Sequence, residues 1–114
     1  MIVLSEIITL KRNNDFRRLY AKGRSYAGPV LVTYVMKNRC RTVRIGITTS
    51  KKIGKAVIRN RSRRVIREAF RMISEEVRPG YDLVFVARGK TPYVKSGVIL
   101  CDMKKELKEA GVLK

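Results

Sequence analysis

Nine lysines and arginines fall within residues 51 to 71, KKIGKAVIRNRSRRVIREAFR, against a single acid, Glu68. Side chains of these types at this density suit one chemistry above others, the recognition of phosphate. The arginine fork pairs with two phosphate oxygens at once, and lysine adds a compact point charge. Gly54, between Lys52 and Lys55, lets backbone N–H groups approach an anion where a helix begins. A nucleotide-binding P-loop is excluded. It would need GxxxxGK[ST], but Gly46 lies eight residues before Gly54 and Ala56 stands where a hydroxyl should hold magnesium.

Other chemistries lack their parts. The chain contains no histidine, which removes the commonest general acid/base and the commonest metal ligand. Cys40 and Cys101 stand far apart with no neighbouring ligand, which argues against a zinc site; a disulfide between them stays open, with two free thiols in a reducing cytoplasm the favoured reading. The nine acids are scattered, and only Glu75-Glu76 are close. No nucleophile–base arrangement or convergent carboxylate cluster of a metal nuclease is present. Asp82, inside an apolar run, is assigned a capping or salt-bridge role. Phe16, Tyr20 and Tyr34 have two readings. Aromatics four apart on a helix commonly pack in a core, but beside cations they can also stack on unpaired bases.

Elements must hold these groups in place. Hydrophobic residues make up 45% of the 114 residues, enough for one folded domain over 1–114 rather than a disordered basic tail. NNDFRRLYAKG reads as a short helix, capped by Asn13 or Asn14, with Phe16, Leu19 and Tyr20 on one face and Gly23 at its end. PVLVTYVM (29–36) and the alternating TVRIGITTS (42–50) read as strands joined by a hairpin loop, KNRCR, with GRSYAG as a short edge strand ahead of them. From residue 56 to about 77 runs the longest helix. Ile58, Ser62, Val65, Ile66, Ala69, Phe70 and Ile73 share one side, and Asn60, Arg63, Arg64, Arg67 and Arg71 lie opposite within about 100° of one another. Pro79-Gly80 is expected to stop it. YDLVFVAR (81–88) reads as a strand buried on both faces. A last helix over about 95–110 carries Leu100, Met103, Leu107 and Ala110 and closes at Gly111. The order α-β-β-β-α-β-α predicts an α+β sandwich with a four-stranded mixed sheet.

A solvated helix face usually mixes signs, because like charges four apart destabilise it by several tenths of a kcal/mol. Here Arg63, Arg67 and Arg71 follow at that spacing, and the whole chain carries a formal charge of +18. A polyanion, nucleic acid first, is the partner that offsets such self-repulsion. The opening MIVLSEIITLKR is apolar but has no basic residue ahead of it, contains Glu6 and shows no small-residue cleavage site, so it is not read as a signal peptide. No run reaches the roughly 18 apolar residues of a membrane span. A cytoplasmic protein without membrane association is expected.

With these residues in view, the sequence resembles the protein subunit of bacterial ribonuclease P. RIGITTSKKIGKAVIRNRSRRVIREAFR resembles that family's signature, LKRNNDFRRLYAKGRSYAG its opening, and GYDLVFVARGK its last strand, over residues 9 to about 110. Residues 1 to 8 are more apolar than is usual for it and receive no role. The resemblance implies a non-catalytic subunit of an endoribonuclease holoenzyme, in which a magnesium-dependent RNA removes the 5′ leader of precursor tRNA. Magnesium would be bound mainly by the RNA, and none by the protein alone. It implies that Arg59, Asn60, Arg61, Arg63, Arg64 and Arg67 face the catalytic RNA. Phe16, Tyr20 and Tyr34 would line a cleft for the single-stranded leader, with Lys51, Lys52, Lys55, Arg88 and Lys90 around it. A left-handed strand–helix–strand crossover and a monomeric protein are also implied. The rival classes are a ribosomal protein or RNA chaperone, which would not need an aromatic platform beside a basic linker, and an autonomous nuclease, which would need the missing acid/base groups.

Overall fold

The computed structural model describes residues 7–114. Its elements are β1 (Ile7–Thr9), α1 (Asn13–Lys22), β2 (Arg24–Ala27), β3 (Leu31–Lys37), β4 (Val43–Thr48), α2 (Ala56–Ile73), β5 (Tyr81–Ala87) and α3 (Ser96–Glu109). Single 3-10 turns at Lys51–Ile53, Ser74–Glu76 and Thr91–Tyr93 lead into or out of the longer helices. The four expected strands and three expected helices are all present. The backbone at Ile7–Thr9 adds a fifth, parallel strand beside β4, in the segment left without a role. The rest of that segment, residues 1–6, lies outside the described residues.

The sheet order is β1-β4-β5-β3-β2. β5 pairs parallel to β4 and antiparallel to β3, so the sheet is mixed. The expected hairpin between residues 29–36 and 42–50 is therefore corrected: β3 and β4 are not neighbours, because β5 lies between them. The physical reason is the composition of β5. Asp82, Leu83, Val84, Phe85 and Ala87 are all buried, and a strand apolar on both faces belongs in the centre of a sheet covered on both sides.

Helices cover each face. On one, Leu31, Val35, Val43, Ile45, Leu83 and Phe85 pack against Ile66, Ala69, Phe70 and Ile73 of α2 and Ile99, Met103 and Leu107 of α3. On the other, Leu19 of α1 joins Leu10 and Val84, with Phe16, Tyr34, Met36 and Val86 packed around them. The apolar side of α2 is as expected, with Ile58 and Val65 half-buried at its margin.

Two boundaries differ from expectation. α1 has Arg12 as its N-cap residue and no side-chain cap, so Asn13 and Asn14 stand inside its first turn. α2 ends at Ile73 rather than near 77. Glu75 and Glu76 would set negative charge against the negative end of the helix dipole, and the chain turns off to bridge Val77 with Leu113. In α3 the expected stripe packs on the core, Met103 and Leu107 buried and Leu100 and Ala110 half-buried, and the fully buried Ile99 joins it. Gly111, at φ +75°, closes α3 as expected.

Candidate nucleic-acid interface

The side of α2 that faces away from the core carries the arginines. Asn60, Arg61, Arg64, Arg67 and Arg71 are exposed, and Arg59 and Arg63 are half-buried. Arg63 donates to the Asn60 side-chain oxygen at 3.2 Å, which ties two candidate contacts into one unit. Among the described residues the ion pairs involve only Arg18 and Arg44, so no acid neutralises the α2 cations. A row of uncompensated guanidinium groups on a rigid helix presents its forks at the spacing of successive turns, available to phosphate.

The second surface forms on the α1 side of the sheet. α1 crosses the strands. Arg18 lies 3.9 Å from Asp82 near the start of β5, while the Tyr20 hydroxyl donates to Thr48 Oγ1 at 3.0 Å at the end of β4. The Tyr20 and Tyr34 rings meet edge to face, with centroids 4.9 Å apart and planes at 76°. Tyr20 is 42% exposed, and Tyr34 half-buried. Phe16 is placed differently. Its ring lies over Gly46, where a Cβ would come within 2.5 Å of it, and it packs with Leu10, Leu19 and Val84. Glycine at 46 thus lets the helix settle onto β4, with Phe16 as its anchor, Tyr20 as the exposed ring and Tyr34 half-buried beside it.

The cations assigned to this cleft come together through topology. Because β4 and β5 are parallel, both end at one edge of the sheet. The first leads into Lys51, Lys52 and Lys55, the second into Arg88 and Lys90, and all five side chains are exposed. Gly54, at φ +140°, makes the turn from the 3-10 segment into α2, a conformation that residues with a Cβ rarely adopt. The Arg88 loop is clamped: Thr91 Oγ1 accepts from the Arg88 N–H and donates to the Val30 carbonyl, both at 2.7 Å.

Asp82 has the salt-bridge role expected of it. It is fully buried and accepts from Arg44 Nε and from Asn38 Nδ2, at 2.7 and 2.8 Å. Its hydrogen bond raises the Arg44 pKa. On that flank of α1, Arg18, Lys37, Arg39 and Arg44 surround a pocket of about 450 Å3 that sequence patterning did not single out. A second buried acid also escaped it. Glu106 lies in α3, 3% exposed, and accepts from Thr33 Oγ1 at 2.7 Å. Burial pushes its carboxyl up to about 8, with Asp102 and Glu109 adding to the rise and the Thr33 hydrogen bond opposing it. Among the described residues no three of His, Cys, Asp or Glu gather where they could hold a metal ion, and no helix is long and apolar enough to cross a membrane. Cys40 and Cys101 are free and exposed.

The Ribonuclease P family model matches residues 4–111. The chain is 44% identical over 112 residues to the ribonuclease P protein component of Clostridium kluyveri, covering 96% of this chain and 99% of that protein. To the component from Clostridioides difficile it is 52% identical over 80 residues, 69% of this chain and 70% of that one. Among solved structures, the Staphylococcus aureus RNase P protein superposes with a TM-score of 0.81 at 34% identity, covering 93% of this chain and 97% of that chain. The Thermotoga maritima RNase P protein gives 0.76 at 28%, over 85% and 92%.

Proposed function

The chain belongs to the ribonuclease P protein family, whose part is in tRNA 5′-end processing, and from that premise we propose how its two surfaces divide the work. α2 binds the ribonuclease P RNA through Arg59, Asn60, Arg61, Arg63, Arg64 and Arg67. The cleft beside α1 holds the single-stranded leader of precursor tRNA, with Tyr20 and Tyr34 stacking on bases and Lys51, Lys52, Lys55, Arg88 and Lys90 neutralising the backbone. The observation that carries this reading is the separation of the surfaces: one helix face without aromatic rings, and one cleft in which an exposed ring and a half-buried ring meet beside exposed cations.

On this reading the RNA subunit carries the catalysis. The protein supplies positioning and positive charge. Magnesium, held mainly by the RNA components, supplies the reaction's metal chemistry when bound. The protein acts as a monomer in the cytoplasm, and the connection from β4 through α2 to β5 takes the left hand, against the usual rule. A ribosomal protein or a general RNA chaperone is not favoured, because the family match spans nearly the whole chain.

The test is cleavage of precursor tRNA with and without a bacterial ribonuclease P RNA. The protein alone should leave the substrate intact. Added to the RNA, it should lower the magnesium concentration needed, because its charge takes over part of the cations' screening of phosphates. Cleavage by the protein alone would overturn the proposal.

A further inference from the structure

Tyr93 is the most exposed aromatic ring among the described residues, at 71%, and neither surface above uses it. Nothing in its surroundings suggests a loose loop. It closes the 3-10 turn Thr91–Tyr93, and its own N–H donates to the Lys90 carbonyl at 3.0 Å. Thr91 and Pro92, the two residues before it, are buried, and Val94, the residue after it, packs on the main core. The Thr91 hydroxyl is fixed to Val30 and Arg88. The backbone on either side of the ring is therefore pinned while the ring itself projects into solvent. A large apolar side chain exposed on a pinned backbone gains no burial in water, and its backbone has little further freedom to lose when it meets a partner.

Its position narrows the partner. The turn packs against α2, on the face of the sheet opposite α1 and its cleft. It follows β5, so it stands at the edge where β4 also ends and α2 begins. Two more exposed apolar residues belong to that edge, Val57 (78%) in the first turn of α2 and Val98 (47%) in the first turn of α3. Lys95, exposed, lies two residues after Tyr93, and Arg59, Asn60 and Arg61 follow Val57 on α2. Exposed apolar side chains among cations disfavour a basic partner. They suit a flat, uncharged ring carried on an anionic backbone, which is an unpaired nucleobase.

We infer that Tyr93 is a base-stacking contact for an unpaired nucleotide of the catalytic RNA, extending the arginine face of α2 around the end of the helix. This rests on the assignment of α2 to that RNA. The contact fixes where the RNA sits along α2, which a row of phosphate contacts alone leaves free to slide, since phosphates repeat without regard to sequence.

The experiment measures binding of the full-length protein to a bacterial ribonuclease P RNA over a range of salt concentrations, for wild type, Tyr93→Ala and Tyr93→Phe. Removing the ring should weaken binding about 5- to 160-fold. The slope of log affinity against log salt should not change, because every cation still reaches its phosphate. Tyr93→Phe should bind within about twofold of wild type, since stacking needs the ring and not the hydroxyl. The melting temperature should hold in both variants, because the ring is not in the core. Precursor and mature tRNA, bound by the reconstituted holoenzyme, should keep their affinity ratio. Wild-type affinity in Tyr93→Ala, an equal weakening in Tyr93→Phe, or an effect confined to precursor tRNA would each overturn the inference. Absence of saturable RNA binding by the wild-type protein would instead overturn the assignment of α2 itself.

Discussion

Arg44 and Asp82 stand opposite each other on adjacent parallel strands and meet through two hydrogen bonds of 2.7 Å, with the carboxylate fully buried. A buried ion pair adds little net stability as a pair, but removing Arg44 leaves the buried carboxylate with only the Asn38 hydrogen bond and Arg18 at 3.9 Å. Arg44→Met should therefore cost about 3–5 kcal/mol in urea denaturation. Arg44→Met combined with Asp82→Leu should cost less than the single change. A double variant at least as unstable as the single one would show that the lone carboxylate is not the source of the penalty.

The arginine face of α2 predicts a change in binding without a change in folding. Arg64 and Arg67 are exposed, and surface substitutions of this kind usually alter stability by about 0.5 kcal/mol or less. Changing both to Ala should weaken binding to the ribonuclease P RNA and reduce the salt slope by roughly 0.7 to 0.9 for each phosphate no longer neutralised. Titrations at several salt concentrations measure it, and an unchanged slope would place the RNA on another surface.

The aromatic residues should separate into two classes. Tyr20→Ala or Tyr34→Ala should weaken binding of precursor tRNA to the holoenzyme by about 1–3 kcal/mol, with little effect on mature tRNA, which has no leader to stack. Phe16→Ala should instead lower the melting temperature and affect both RNAs alike, because its ring anchors α1 over Gly46. Gly46→Ala should destabilise the protein by about 1–3 kcal/mol, since the new methyl group meets that ring. Melting curves and the precursor-to-mature ratio on the same variants decide each case.

Glu106 predicts a pH dependence of an unusual sign. Its carboxyl rises from the ordinary value of 4.5 to about 8 on folding, chiefly through burial. Between those values the folded state keeps a proton that the unfolded state has released, so stability falls as pH rises. The contribution is fully present below about pH 4.5, declines at up to about 1.4 kcal/mol per pH unit, and is gone above about pH 8. Glu106→Gln keeps the shape without the titration and should flatten the profile across that window. Denaturation at pH 5, 6, 7 and 8, run on both proteins, checks it. Parallel profiles would assign the pH dependence to another group.

Much of this was legible in the sequence because the signals were local. The period of α2 separates its core side from its arginines within one segment. The alternation of Val43, Ile45 and Ile47 marks β4 without knowledge of its neighbours. What stayed hidden depended on residues far apart. The KNRCR segment reads as a hairpin loop until the demands of β5 on both its edges are known. Phe16 and Tyr20 look equivalent on their helix, and only Gly46, in a strand beneath, makes one an anchor and the other a platform. Glu106 looks like an ordinary charge in α3, because its burial depends on Thr33 in β3. Tyr93 gives no periodic signal at all, since a single 3-10 turn has no period to detect.

The central place of β5 also has a consequence for how the molecule comes into being. β3 and β4 do not pair with each other, so without β5 the sheet is two fragments, β2 with β3 and β1 with β4. The strand that joins them is the last to leave the ribosome, and its partners lie 38 residues or more behind it in sequence. Long-range pairing of this kind is slow compared with helix formation. During synthesis, then, α2 can display its charges before any frame exists to orient them against the cleft. The two surfaces acquire their fixed relation together, when Tyr81–Ala87 inserts, and a chain cut short of that segment would keep the cations and lose the geometry.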